Sequence, residues 1–181
     1  MAFVFAWALL GGGADRYDPT RDAISELAAL GAPSRPVMTA GLVALGAGMA
    51  LYGIALRPRR TWPLPVVNGV IALAVAALPL GGAYDRAHGV AAGLGYVTLA
   101  AIPVLGARHL RPLWARLSVV TGLVSGLCLL ASVLVARDGL LQRLGLTVAH
   151  LWVVVSAVGL LRSPRSSSTT APAGAPAGRH R

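Results

Sequence analysis

The sequence predicts an all-α integral membrane protein: a bundle of six transmembrane helices with a short interfacial helix between the first two spans. Three observations carry that prediction. At 56% hydrophobic and 12% charged residues, with a mean hydropathy of +0.70, the chain is too apolar for a soluble domain of 181 residues. The apolar runs are continuous rather than alternating every second position, which suits helices and not a membrane barrel. All six acidic residues, Asp15, Asp18, Asp22, Glu26, Asp85 and Asp138, fall in three of the gaps between runs, while the other gaps carry Arg with no counter-charge. A soluble surface mixes both signs, so alternate gaps are expected to face opposite sides of a membrane.

The first run, residues 2–14, reaches only about 20 Å as a helix against a hydrocarbon core of roughly 30 Å. It is expected either to thin the bilayer or to have lost residues to a misassigned start. It carries no basic leader and runs into Gly11, Gly12 and Gly13 instead of a small-residue cleavage site, so it does not read as a signal peptide. Next, Asp18 as an N-cap, Pro19 at the first helical position and Gly31 as a terminator predict a helix over residues 19–30. Its projection puts Asp22, Ser25 and Glu26 on one side and Ile24, Leu27 and Ala28 on the other, as an interfacial helix requires.

Five longer spans follow, at about 37–56, 62–84, 88–107, 117–136 and 144–161, each near the 20 residues a crossing needs. Pro103 is expected to kink the fourth span. Close packing is expected at Gly89 with Gly93, at Gly122 with Gly126 and at Ala44 with Gly48, because helices in lipid associate through small residues. A homodimer seam at these faces is the alternative and is not favoured. Residues 1–162 thus form a membrane domain, and the Ser-, Pro- and Ala-rich stretch 163–181 reads as a disordered basic tail, able to touch anionic lipid headgroups.

Arg57, Arg59 and Arg60, then Arg108, Arg111 and Arg116, then Arg162, Arg165, Arg179 and Arg181 occupy the acid-free gaps and the tail. The positive-inside rule puts them, and both termini, in the cytoplasm. Arg16, Arg21, Arg35, Arg86, Arg137 and Arg143 share the outer loops with the acids. Trp62 and Trp114 are expected at the inner interface, with Tyr17 and Tyr84 at the outer one. Arg without Lys, and abundant Ala, Gly, Leu and Val, suggest a GC-rich bacterial genome and hence a bacterial cytoplasmic membrane. The formal charge of +10 does not indicate nucleic acid, because the guanidinium groups are scattered between apolar spans. The single cysteine, Cys128, leaves no disulfide framework.

The residues able to do chemistry gather in the outer loops. Asp85 and His88 are three apart at a helix start, where a carboxylate can orient an imidazole or simply cap the helix. Ser25, Asp85 and His88 are the candidate catalytic residues, and Glu26, Arg86, Gln142, Arg143 and His150 the candidate binding residues. His150 lies seven residues beyond Arg143, about 10 Å deeper. An ionisable side chain inside a span marks a function, unless a neutral imidazole is satisfied by Thr147, Ser125 or Ser132. His88 and His150 are weak candidates for metal ligands, and no H-E-x-x-H or G-x-S-x-G spacing is present. No cofactor is implied. Arg143 with Arg86 offers a clamp for a lipid phosphate or carboxylate.

Tyr17-Asp18-Pro19, Ile24-Ser25-Glu26-Leu27 and Gly31-Ala32-Pro33-Ser34-Arg35, with the spacing of the later spans, resemble the bacterial integral membrane family known as domain of unknown function 998. The resemblance covers roughly residues 1–162 and implies a multi-span membrane protein without assigning an activity. Three functions follow from the residues. The leading one is non-catalytic, with the outer polar cluster closing the bundle or binding a lipid headgroup. The alternatives are an intramembrane hydrolase or lipid-modifying enzyme using His88 with Asp85 and Ser25, and a small transporter with Asn68, Tyr96 and His150 along its path.

Overall fold

The computed structural model describes residues 1–13, 17–57, 61–135 and 139–162. Asp15, Arg16, Arg59, Arg60, Arg137, Asp138 and the expected tail at 163–181 lie outside the described residues. The described chain is helical: α1 (Ala2–Gly11), α2 (Arg35–Ala55), α3 (Pro63–Ala77), α4 (Asp85–Gly106), α5 (Pro112–Leu134) and α6 (Gly139–Arg162), with 3-10 turns at Ile24–Ala28 and Ala107–His109. Proline opens α2, α3 and α5 within their first two positions, where its missing N–H costs no helical bond.

By length and composition four helices are able to cross a membrane: α2, α4 with its 3-10 extension to His109, α5 and α6, of 21, 25, 23 and 24 residues. The other two, α1 and α3, are apolar but shorter, at 10 and 15 residues. The span expected to run to Tyr84 therefore stops at Ala77. Pro79 biases the preceding Leu78 away from helical geometry, and Gly81 takes a φ of +91° in the turn that follows.

Consecutive helices run antiparallel and touch through glycines. A Cβ on Gly46 would lie 2.8 Å from the Gly69 carbonyl oxygen, and one on Gly53 would lie 2.9 Å from the Trp62 carbonyl oxygen, so α2 and α3 meet backbone to backbone. Likewise a Cβ on Gly122 would lie 2.7 Å from the Ala100 carbonyl oxygen, joining α5 to α4, and one on Gly145 would lie 3.0 Å from the Ser125 carbonyl oxygen, joining α6 to α5. Of the faces expected from sequence, that of Gly122 packs as foreseen. Gly48, Gly89 and Gly93 meet nothing within 4 Å and are not seams within this chain. Helix α4 continues through Pro103, whose carbonyl accepts the Ser118 hydroxyl at 2.6 Å.

This alternation sorts the described charges by end. Asp18, Asp22, Glu26 and Asp85 lie at one end, and Arg57, Arg108, Arg111, Arg116 and Arg162 at or near the other. Helix α1 belongs to the acidic half. Its Phe3 and Ala6 meet Gly41 early in α2, and its Phe3 ring stands edge-on to His150, 6.1 Å away, halfway along α6.

Candidate functional site

The first acidic-end loop folds differently from the helix expected over residues 19–30. Asp18 Oδ1 accepts the Thr20 amide at 2.9 Å and its hydroxyl at 2.7 Å, while Asp22 Oδ2 accepts the Asp18 amide at 2.7 Å. Side chains that capture nearby amides compete with helical bonds, and only the 3-10 turn Ile24–Ala28 remains. Those Thr20 bonds also hold the Asp18 carboxyl below its ordinary pKa. The expected sidedness survives: Ile24, Leu27 and Ala28 are buried, Ser25 is half-buried and Glu26 is exposed. Gly31 ends the segment at a φ of +83°.

Helix α6 anchors this loop, and it begins five residues earlier than the sequence suggested. The Gly139 and Leu140 amides donate to the Arg21 and Thr20 carbonyls, each at 3.1 Å, so the loop satisfies amides that a helix N-terminus otherwise leaves open. Gln142 and Arg143 thereby become buried residues of the first turns of α6 instead of loop residues. Gln142 Oε1 accepts the Ile24 amide at 2.8 Å, and its Nε2 donates to the Tyr96 hydroxyl.

Arg143 and Arg86 share no partner among the described residues. Arg143 Nη1 donates to the Asp22 carbonyl at 3.0 Å and the Gly139 carbonyl at 2.9 Å, and its Nη2 donates to the Tyr17 hydroxyl. The guanidinium carbon also lies 5.4 Å from the Trp7 ring centre and 5.5 Å from that of Tyr17. Arg86 is exposed and shares none of these partners. Tyr17, expected at the headgroup level, is half-buried. Burial pushes its phenol above the ordinary pKa, and the Arg143 guanidinium offsets part of that rise.

The Asp85–His88 pair is not formed. Asp85 Oδ1 accepts the Gly81 amide at 2.7 Å and the Gly82 amide at 3.1 Å, shaping the turn before α4. His88, only 3% exposed, directs Nδ1 to the Leu78 carbonyl oxygen at 2.6 Å, and its buried Nε2 has no partner. Ser25 lines the same space as His88, but no hydrogen bond joins them among the described residues. His150 is 5% exposed, and neither ring nitrogen makes a hydrogen bond of good geometry among the described residues; the Leu146 carbonyl one turn back is the group near enough to engage the ring. Of the partners expected for it, Ser125 donates to the Gly145 carbonyl and Ser132 to the Leu129 carbonyl, each at 2.8 Å. Among the described residues no group of three or more His, Cys, Asp or Glu side chains gathers as a metal site would require.

Both histidines face a cavity of about 80 Å³ in the middle of the bundle, walled by residues such as Phe3, Met38, Ile71 and Leu146. Ser25, His88, Ala92, Tyr96 and Gln142 also line a vestibule of about 380 Å³ at the acidic end, so the two spaces share a wall. Glu26 and Arg21 stand at the vestibule's rim. Asn68 lines the inner cavity and donates to the Gly95 carbonyl at 2.9 Å and the Thr98 hydroxyl at 2.8 Å. A separate cavity of about 300 Å³ opens at the other end between Tyr52, Thr61, His109, Trp114, Trp152 and Ser156. Buried Met49 and Val153 lie one turn from both linings.

Fold and site together define an all-helical, membrane-type bundle whose polar loop is locked to its last helix above a cavity lined by two buried histidines. Residues 1–159 match the family described as Protein of unknown function (DUF998), and the chain belongs to that family. No curated protein and no solved structure matches it.

Sequence reasoning missed Trp7 and Tyr17 as the aromatic partners of Arg143, and Phe3 as the ring beside His150. Arginine in an apolar setting calls for carbonyl or aromatic partners, but the elements that supply them are more than 120 residues away.

Proposed function

We propose that the protein is a non-catalytic lipid-binding protein of a bacterial cytoplasmic membrane, with its acidic end and vestibule on the outer side. The supporting observation is a contrast in hydrogen bonding. Gln142 and Arg143 are engaged by other parts of the chain, whereas the cavity beneath them carries a buried His88 Nε2 with no partner among the described residues. Unmade buried bonds of that kind cost free energy that a bound molecule recovers.

In this reading residues 1–162 are one domain of six spans. The two short helices reach about 15 and 22 Å at 1.5 Å per residue, and the bilayer thins to meet them. The acid-free arginine connections and both termini face the cytoplasm, with 163–181 a solvated tail. No cofactor or nucleic acid takes part, and the bundle acts without a homodimer seam. The hydrolase reading loses support, since Asp85 is committed to Gly81 and Gly82. The transporter reading draws support from the second cavity, one helical turn beyond Met49 and Val153.

The test is extraction in lipid nanodiscs followed by mass spectrometry of the retained lipid. The native chain should retain a lipid after exchange into a defined bilayer, and Ala92→Trp, which puts a bulky ring where both vestibule and cavity are lined, should not. Equal retention by both would remove the lipid-binding reading.

A further inference from the structure

The chemistry of the cavity also selects the headgroup, an inference that rests on the lipid-binding reading above. A carbonyl oxygen only accepts hydrogen bonds, so the 2.6 Å contact with Leu78 requires a proton on His88 Nδ1. In the neutral imidazole that leaves Nε2 a bare acceptor. A ligand at this atom must therefore bring a donor. In the same lining the Tyr96 hydroxyl accepts from Gln142 Nε2, which leaves the phenol's own proton able to donate. A ligand hydroxyl that donates to His88 and a ligand oxygen that accepts from Tyr96 would satisfy the two.

Charge argues the same way. No Arg, Asp or Glu lines the inner cavity, and the buried Arg143 is turned toward carbonyls and aromatic rings. A phosphate or carboxylate buried there would lack the counter-charge that such burial demands. His150, in the lining of the same cavity, offers a further ring nitrogen, which suits a headgroup with more than one oxygen. Gly89 and Gly93, beside the vestibule, meet nothing within 4 Å where a Cβ would stand. With Ala92 and Val133 they leave an apolar trough beside the mouth, where an acyl chain can lie while the head enters.

We propose that the cavity binds the uncharged, hydroxyl-bearing headgroup of a membrane lipid, of the chemical class of a diacylglycerol, with His88 Nε2 accepting its hydroxyl proton.

The experiment uses the full chain in nanodiscs and compares four probes by native mass spectrometry: dioleoylglycerol, its O-methyl ether, dioleoyl phosphatidic acid and free glycerol. Dioleoylglycerol should bind about tenfold more tightly than the ether, the effect of stranding one buried acceptor. In His88→Asn, whose amide keeps a donor near Leu78 but no acceptor at the Nε2 position, that preference should vanish. If the variant does not fold, 15N spectra of the histidine-labelled native protein serve instead: the bare Nε2 signal should shift with dioleoylglycerol and not with the ether. Equal binding of alcohol and ether overturns the proposal, as does tighter binding of phosphatidic acid, which would leave the lipid reading intact. Glycerol competing as well as the lipid would assign the site to an aqueous solute. Binding of none of the lipids would overturn both this inference and the reading beneath it.

Discussion

Gln142 holds Ile24 by its backbone: the side-chain Oε1 accepts the Ile24 amide at 2.8 Å across 118 residues of sequence. Through this bond the last helix fixes the acidic-end loop over the cavity. Gln142→Leu leaves a buried amide without a partner, a loss of about 1–3 kcal/mol. Thermal unfolding in one detergent should register that loss, and trypsin should cut faster at exposed Arg21. Unchanged cleavage would mean that the loop is held by other contacts.

Arg143 should be replaceable by neither Lys nor Ala. Its fork reaches the carbonyls of Asp22 and Gly139 and the Tyr17 hydroxyl while its flat face lies near two aromatic rings. An ammonium cannot reproduce a planar fork, and Arg143→Lys should cost about 2 kcal/mol, the range for hydrogen bonds to a charged group. Because the partners are carbonyls and rings rather than carboxylates, the deficit should be the same in low and high salt. An ion pair would show a deficit that shrinks as salt rises.

Two glycines two residues apart should respond oppositely to alanine. A Cβ on Gly46 would press on the Gly69 carbonyl oxygen at 2.8 Å, whereas one on Gly48 meets nothing within 4 Å. Gly46→Ala should therefore destabilise the bundle by about 1–3 kcal/mol, as overpacking does. Gly48→Ala should be neutral or stabilising by up to about 1 kcal/mol, because alanine restricts the unfolded chain and favours helix. Unfolding of both variants in the same micelle decides the matter; equal effects would contradict the α2–α3 contact.

The same pair shows why sequence conveyed the architecture and not the site. Long apolar runs and segregated charge specify helices and ends directly, because each is a property of neighbouring residues. Which small-residue face packs is a property of two helices at once, so Gly89 and Gly93 carried the expected motif and the heavier contact fell at Gly46 and Gly69. The third span was overread for a local reason: Pro79 and Gly81 are breakers, but the apolar residues around them hid the stop. The loop helix failed because Asp18 and Asp22 bond their own backbone and Gln142 takes the Ile24 amide. Only the first of those two effects is visible within the loop itself.

Orientation can be read from two introduced cysteines. The four described acids share one end of the bundle, and five described arginines lie at or near the other. Arginine-rich short loops stay on the cytoplasmic side during insertion while acids have little influence, which predicts an outward-facing vestibule. Glu26 at the vestibule rim and Arg57 after α2 are both exposed, so each tolerates Cys in a chain whose own Cys128 is changed to Ala. An impermeant maleimide added to intact cells should label Glu26→Cys at once and Arg57→Cys only after lysis. The reverse pattern would turn the vestibule toward the cytoplasm, and the lipid it admits would then have to come from the inner leaflet.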